Sequence, residues 1–243
     1  MKKLPHEEVV YLGDTARVPF GGRQPAEIVQ INREIIPFLL KHEVKLVVMA
    51  CGTSSAIAYP IVKDDFPVEI INIIEPGARA AVAATQNGKI GVVATVATVN
   101  SNAYPEKIEG INKELAIFSA ACPLFVPLIE NGHIETEEAR RITKEYLAPL
   151  LKEKIDTLIL GCTHYPHLVR VIWSITGPDV KIIDPAEETA LEIKQLLKRV
   201  GTLRTTAIPP KYHYYVTGSP IHFQEVGSRL LGKVLPAVKQ VVL

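Results

Sequence analysis

Leu46-Val47-Val48-Met49-Ala50-Cys51-Gly52-Thr53 and Leu158-Ile159-Leu160-Gly161-Cys162-Thr163-His164 carry the strongest structural signal in this chain. Each passes from a short aliphatic run through one small residue into cysteine, with threonine close behind. A short apolar run that stops at a small residue reads as a buried strand. Each cysteine then falls where a strand ends and a helix starts. Backbone N–H groups at such a junction, with the helix dipole behind them, favour a thiolate and hold a carboxylate. The likeness of the two stretches suggests two related lobes facing each other across a cleft, with one thiol on each side of a bound substrate. Inversion at carbon needs that arrangement: one base removes a proton, and the conjugate acid of the other delivers one to the opposite face. Taken singly, each cysteine reads more readily as a small buried residue; the repeated context, with Thr and His alongside, favours chemistry.

Outward from these stretches, strand patterns alternate with helical ones. Val9–Leu12, Lys45–Met49, Val68–Ile74, Ile90–Ala94, Thr157–Leu160, Val180–Ile183 and Tyr212–Val216 read as strands closed by Gly, Asp, Pro or Thr. The clearest helix starts at Asp184-Pro185-Ala186-Glu187, an N-cap aspartate with proline at the first helical position, and Gly201 closes it. Thr136–Glu153 follows the same logic, with Pro149 expected to kink or shorten it. Alternation of this kind predicts an α/β fold with parallel sheets covered by helices on both faces, and ligands beyond the carboxyl ends of the strands.

Composition excludes several classes. Lys and Arg number 27 against 26 Asp and Glu, so no broad charge footprint points to nucleic acid or a membrane surface. Apolar residues make up 47% of the chain, enough for a full core. The opening has no apolar leader, and no run approaches the roughly 18 residues of a membrane span, so a cytoplasmic protein is expected. Cys51, Cys122 and Cys162 form no CxxC, which argues against a disulfide framework and a zinc site; no metal is expected. Cys122, in an apolar setting, reads as core, and His6, His42, His133, His167, His213 and His222 read as surface or packing residues. No phosphate-binding glycine loop is present, so no nucleotide cofactor is expected. Cys162 with His164 also fits half of a thiol acyltransferase, with Glu130 as orienting group, but that scheme leaves Cys51 idle.

Longer strings now bear on identity. Gly13-Asp14-Thr15-Ala16-Arg17-Val18-Pro19-Phe20-Gly21 resembles the GDTARVPYG loop of the cofactor-independent aspartate/glutamate racemases. Met49–Ala56 resembles their ACNTASA motif, and Leu160–Pro166 matches their LGCTHYP. Ile74–Gly77, Ala97–Val99 with Ser101 and Tyr104, Ala121–Pro127, and Thr217–Pro220 with Phe223 also fall in family order. The likeness covers almost the whole chain, and within the family points to the members acting on glutamate. It implies two similar Rossmann-like lobes with the site in the cleft between them, lobe A being residues 1–75 plus 184–243 and lobe B residues 76–183. It implies interconversion of L- and D-glutamate without cofactor, supplying D-glutamate for peptidoglycan, in a homodimer. Cys51 would serve the D-form and Cys162 the L-form, with His164 acting beside Cys162 and Glu130 orienting the imidazole. Pro19, Phe20, Gly21, Gly52, Thr53, Thr95, Thr98, Thr163 and His164 would line the substrate site.

Two departures from the family pattern both fall beside Cys51. The family's opening FDSGVGG-like turn, whose Asp assists the first thiol and whose Ser contacts substrate, is not found, and Met1-Lys2-Lys3-Leu4-Pro5 resembles the end of the family's first helix. A sheet missing that strand is expected to expose an edge. Gly52 stands where the family has Asn, which removes an amide and adds backbone freedom. With its helper absent, Cys51 is expected to be the weaker base, so that proton removal from D-glutamate suffers more than from L-glutamate; Asp14 is a candidate stand-in for the missing Asp. The alternatives are an N-terminally truncated, catalytically impaired amino-acid-binding homologue, or a related racemase acting on aspartate or a hydantoin.

Overall fold

The computed structural model describes residues 3–243; Met1 and Lys2, the start of the segment likened to a helix end, lie outside it. From Lys3 to His6 the chain bends and turns and is not helical. Among the described residues the strands are β1 (Val9–Gly13), β2 (Leu46–Met49), β3 (Glu69–Asn72), β4 (Lys89–Ala94), β5 (Ala116–Ala121), β6 (Thr157–Leu160), β7 (Lys181–Ile183), β8 (Tyr212–Val216) and β9 (Val238–Gln240). They form three wholly parallel sheets, ordered β1-β8-β9, β2-β3 and β5-β4-β6-β7. The four-stranded sheet is the core of one lobe, and the two smaller sheets build the other.

Alternation along the strands explains the layers. In β4 and β6, Val93, Leu158 and Leu160 join a cluster with Phe125, Ile142, Leu147, Tyr165 and Ile172 from helices on one face. Ile90, Val92, Ala94 and Ile159 point the other way, against Ile74, Ala78, Ala81, Tyr104 and Ile108. Side chains one residue apart on a strand face opposite sides, so a sheet covered on both faces needs this unbroken apolar run. In the other lobe, the helix Pro25–Leu40 sets Ile28, Val29 and Ile36 against Val47, Met49 and Ile70. β1 and β2 belong to separate sheets, and Tyr11 and Val48 are exposed there. No described helix is long and apolar enough to cross a membrane.

Several local expectations meet a physical limit. The strand predicted to reach Ile74 stops at Asn72, whose side-chain oxygen accepts from the N–H groups of Ile74 (2.9 Å) and Glu75 (3.0 Å) and so starts the helix Ile74–Ala84. The alanine-rich β5, where only Ile117 and Phe118 favour a strand, and the three-residue β9 carry too short a signal to be expected as strands. The helix Glu137–Lys152 runs past Pro149 without being shortened, because Pro149 lies in its last turns on the exposed face, where the carbonyl it leaves free meets water. Asp184 caps the helix Pro185–Arg199 through the Ala186 N–H, and Gly201 follows it with a left-handed φ of 71°.

At the amino ends of the four-stranded sheet, Asp156 gathers the chain. Its carboxylate accepts from the Thr85 hydroxyl (2.7 Å), the Gln86 and Asn87 N–H groups (2.7 and 2.6 Å) and the Thr157 hydroxyl (2.9 Å), fixing the turn that leads into β4. Burial pushes this carboxyl up, but the four hydrogen bonds outweigh it and hold it below the usual aspartate range. The stabilisation is therefore complete above the unfolded-state pKa and is lost as pH falls through the lower folded value. Asp156→Asn is expected to cost about 1–2 kcal/mol at neutral pH. In urea denaturation, the gap from the parent protein should close as pH drops below the normal aspartate range.

Candidate active site

The carboxyl ends of β1, β2, β4, β5 and β6 lead into the segments that carry the predicted site residues. β2 delivers Cys51, partly exposed, as the N-cap of the short helix Gly52–Ile57. The Ser55 hydroxyl donates back to the Met49 carbonyl (2.7 Å), and the Asn32 amide reaches the Ser54 hydroxyl (3.2 Å), so the turn after Cys51 is pinned from two sides. β6 delivers Cys162, 8% exposed, through Gly161.

The two strand ends touch. A Cβ on Gly52 would lie 2.3 Å from the Gly161 carbonyl oxygen. Gly161 has nowhere to retreat: a Cβ there would meet Ala94 at 2.9 Å and the Tyr104 ring at 3.0 Å, and its N–H is held by the Val93 carbonyl at 2.7 Å. The freedom expected of Gly52 is thus used for close approach between the lobes, and its neighbours are the residues that carry the two thiols.

Cys162 contradicts the expectation of a favoured thiolate. The chain after it makes a turn and then a short 3-10 helix, Tyr165–Leu168, so no α-helix N-terminus faces the sulfur directly. Burial raises this thiol to about 12; a hydrogen bond from the His164 backbone lowers it and the charge of Cys51 raises it. It rests protonated and needs a base on demand. His164 Nδ1 stands 3.9 Å from Cys162 Sγ, and its Nε2 stands 2.7 Å from the Glu130 carboxylate. The hydrogen bond with His164 is the main influence holding Glu130 below the usual carboxylate range; burial opposes it, and His164, His222 and Arg229 add favourable charge. His222 is exposed, as its surface reading expects, and its charge reaches Glu130. Cys122 is fully buried, as expected of a core residue, and burial raises its thiol further.

Hydroxyls crowd the opposite wall. Thr53 Oγ1 lies 2.9 Å from Thr95 Oγ1, which lies 2.9 Å from Thr98 Oγ1, so a residue next to Cys51's turn is bonded to the end of β4. Gly21 lies against Thr95, where a Cβ would approach within 3.0 Å, and its carbonyl accepts from Ala97 N–H at 3.3 Å. The Pro19-Phe20-Gly21 loop therefore borders the threonine cluster, with Pro19 exposed and Phe20 half-buried. Thr163 stands apart, exposed beside Cys162.

Asp14 is not free to stand in beside Cys51. It is buried, accepts from the Thr217 hydroxyl (2.7 Å) and pairs with Arg17 (2.6 Å), tying the loop after β1 to that after β8. Tyr11 was missed by sequence reasoning. Its ring leans along β1 over Gly13, where a Cβ would meet the hydroxyl at 3.2 Å, and stacks on Phe223 at 5.5 Å. Although part of the Tyr11 surface is open, its hydroxyl end is buried, and that burial, with the charges of Cys51 and Glu130, pushes the phenol up to about 12, so it remains a neutral donor. The one available signal was an aromatic two residues before a strand-end glycine. Among the described residues, no group of three or more His, Cys, Asp or Glu is placed to hold a metal ion.

Fold and site together define an α/β protein of two lobes whose contact region carries a thiol on each side, one of them backed by an imidazole–carboxylate pair. Residues 2–193 match the family model described as Asp/Glu/Hydantoin racemase, and the chain belongs to that family. The glutamate racemase of Syntrophus aciditrophicus is 44% identical over all of this chain and 90% of its own length. The crystal structure of glutamate racemase isoform RacE1 from Bacillus anthracis superposes with a TM-score of 0.96 at 39% identity, covering 100% of this chain and 90% of that one. Glutamate racemase from Francisella tularensis, solved in complex with D-glutamate, gives 0.91 at 37% identity, covering 98% and 89%.

A side chain at position 52 has to move the Cys51 turn, since Gly161 is boxed in. Gly52→Ala is expected to lower kcat/KM for racemisation about a hundredfold, the scale of a roughly 1 Å misplacement. The thermal midpoint should move far less; both are read on the purified variant.

Proposed function

We infer that this protein interconverts L- and D-glutamate by proton transfer at the α-carbon, supplying D-glutamate for peptidoglycan. The observation that carries the mechanism is the close packing of the Cys51 and Cys162 turns at Gly52 and Gly161, with the His164–Glu130 pair behind one thiol only. In this reading the Cys51 thiolate takes the α-proton of D-glutamate, and Cys162 S–H donates its proton to the opposite face of the carbanion. L-Glutamate reverses the roles: Cys162, deprotonated through His164 Nδ1, abstracts, and Cys51 S–H donates. Glu130 holds the imidazole by accepting from Nε2–H, leaving Nδ1 as acceptor toward the sulfur.

The α-proton of an amino acid without an imine is weakly acidic, so the site has to stabilise enolate character on the carboxylate. Thr53, Thr95, Thr98 and Thr163 supply hydroxyls, and Pro19, Phe20, Gly21 and Gly52 shape the wall and offer backbone groups. Desolvation strengthens these contacts and is what raises Cys162 at rest. We place the lobe boundaries at 1–75 with 184–243 and at 76–183, a division supported by the four-stranded sheet being drawn entirely from β4 to β7. The same reading makes the protein a cytoplasmic homodimer.

The decisive measurement is α-proton exchange in D₂O, followed by NMR with L- and D-glutamate separately. Exchange with inversion is expected from both. Cys51→Ala and Cys162→Ala should each lower kcat/KM for racemisation about a thousandfold. A folded protein that exchanges neither enantiomer is a binding homologue, and faster turnover of aspartate or a hydantoin moves the substrate assignment.

A further inference from the structure

The helix Pro220–Leu231 follows β8 and so belongs to the lobe of the two smaller sheets, yet its last turn reaches the other lobe. Leu230 packs on the apolar cluster that contains Phe125, Leu128 and Ile129. Beside it, the Arg229 guanidinium donates to the backbone carbonyl of Glu130, the last residue of the helix Phe125–Glu130.

That carbonyl is a special case among its neighbours. The carbonyls of Pro127, Leu128 and Ile129 are met locally, by the N–H groups of Asn131 (3.1 Å), His133 (2.8 Å) and Gly132 (3.0 Å). Glu130 is met from the opposite lobe. Gly132, at a left-handed φ of 77°, turns the chain beneath the guanidinium, within van der Waals range of it. A cation on the terminal carbonyl of a helix is also favourably placed against its dipole. The chain of contacts then continues from Glu130 to His164 at 2.7 Å and from His164 to Cys162 at 3.9 Å.

We propose that Arg229, reaching across from the other lobe, is a positioning residue that fixes Glu130 and through it the His164 imidazole. The guanidinium anchors the Glu130 backbone at its carbonyl, the Glu130 carboxylate selects the Nε2–H tautomer of His164, and the Nδ1 lone pair faces the Cys162 thiol. The base for Cys162 is thereby held in place by a residue of the opposite lobe. The catalytic part of this inference rests on the racemase reading above; the tautomer part does not.

The test uses the full chain with ¹⁵N-labelled histidine, His164 being assigned with His164→Asn. The parent protein should show His164 as a single Nε2–H tautomer. Arg229→Ala should show both tautomers, with kcat lowered about fivefold and KM within about twofold. Arg229→Lys, which keeps the charge and a donor, should restore the single tautomer and most of kcat. In a Glu130→Gln background, Arg229→Ala should cost little more, because both act on one imidazole. An unchanged tautomer in Arg229→Ala, failure of Arg229→Lys to restore it, or additive losses in the cycle would overturn the proposal. If the parent protein does not racemise, the activity reading fails and the tautomer measurement still decides this one.

Discussion

The contact between Gly52 and Gly161 is the constraint on which the site depends. The Gly161 carbonyl can come this close only because residue 52 carries no side chain, and the flanking residues are Cys51 and Cys162. Everything around the contact holds one side still. Gly161 is clamped by Val93 and Ala94 of β4 and by Tyr104 of the helix Ala103–Ile111, which covers one face of that sheet. The Cys51 side rests on a six-residue helix pinned by Ser54 and Ser55. A rigid wall opposite a lighter element is a sensible arrangement for a cleft that has to admit a substrate and then close on it.

The two thiols are alike in sequence and unlike in surroundings. Cys162 is buried, so its charged form is costly, and the structure offsets this with a nearby imidazole backed by a carboxylate. Cys51 is partly open to solvent and has Tyr11, a neutral phenol, within electrostatic reach. A reaction that runs both ways does not require its two bases to be built identically. It requires only that each can be deprotonated when its turn comes and reprotonated when the other acts.

Much of this was legible in the residues, and the gaps have physical causes. Apolar runs ending in Cys placed β2 and β6, and Asp184-Pro185 placed a helix start to the residue, because these signals are local and strong. β5 was not legible, since only Ile117 and Phe118 of Ala116–Ala121 favour a strand, too short a run to stand out, and its place is fixed by its pairing with β4. Thr53, Thr95 and Thr98 meet through contacts between distant segments, and only the family resemblance linked them beforehand. Asp14 shows the converse: a carboxylate beside a site motif invites a catalytic role, and only the fold shows it committed to Thr217 and Arg17. Tyr11 was passed over because an aromatic in a strand reads as packing; its lean over Gly13 exists only in three dimensions.

Asp156 sits at the amino end of β6, while Cys162 sits just past the carboxyl end of the same strand. That strand thus has an anchored pole and a working pole, separated by its own length. Sequence drift at the anchored pole changes how much folded protein a cell maintains, while drift at the working pole changes what the folded protein does. Selection can therefore act on abundance and on chemistry through largely separate sets of positions, which leaves such a scaffold free to acquire new substrates without first losing its fold.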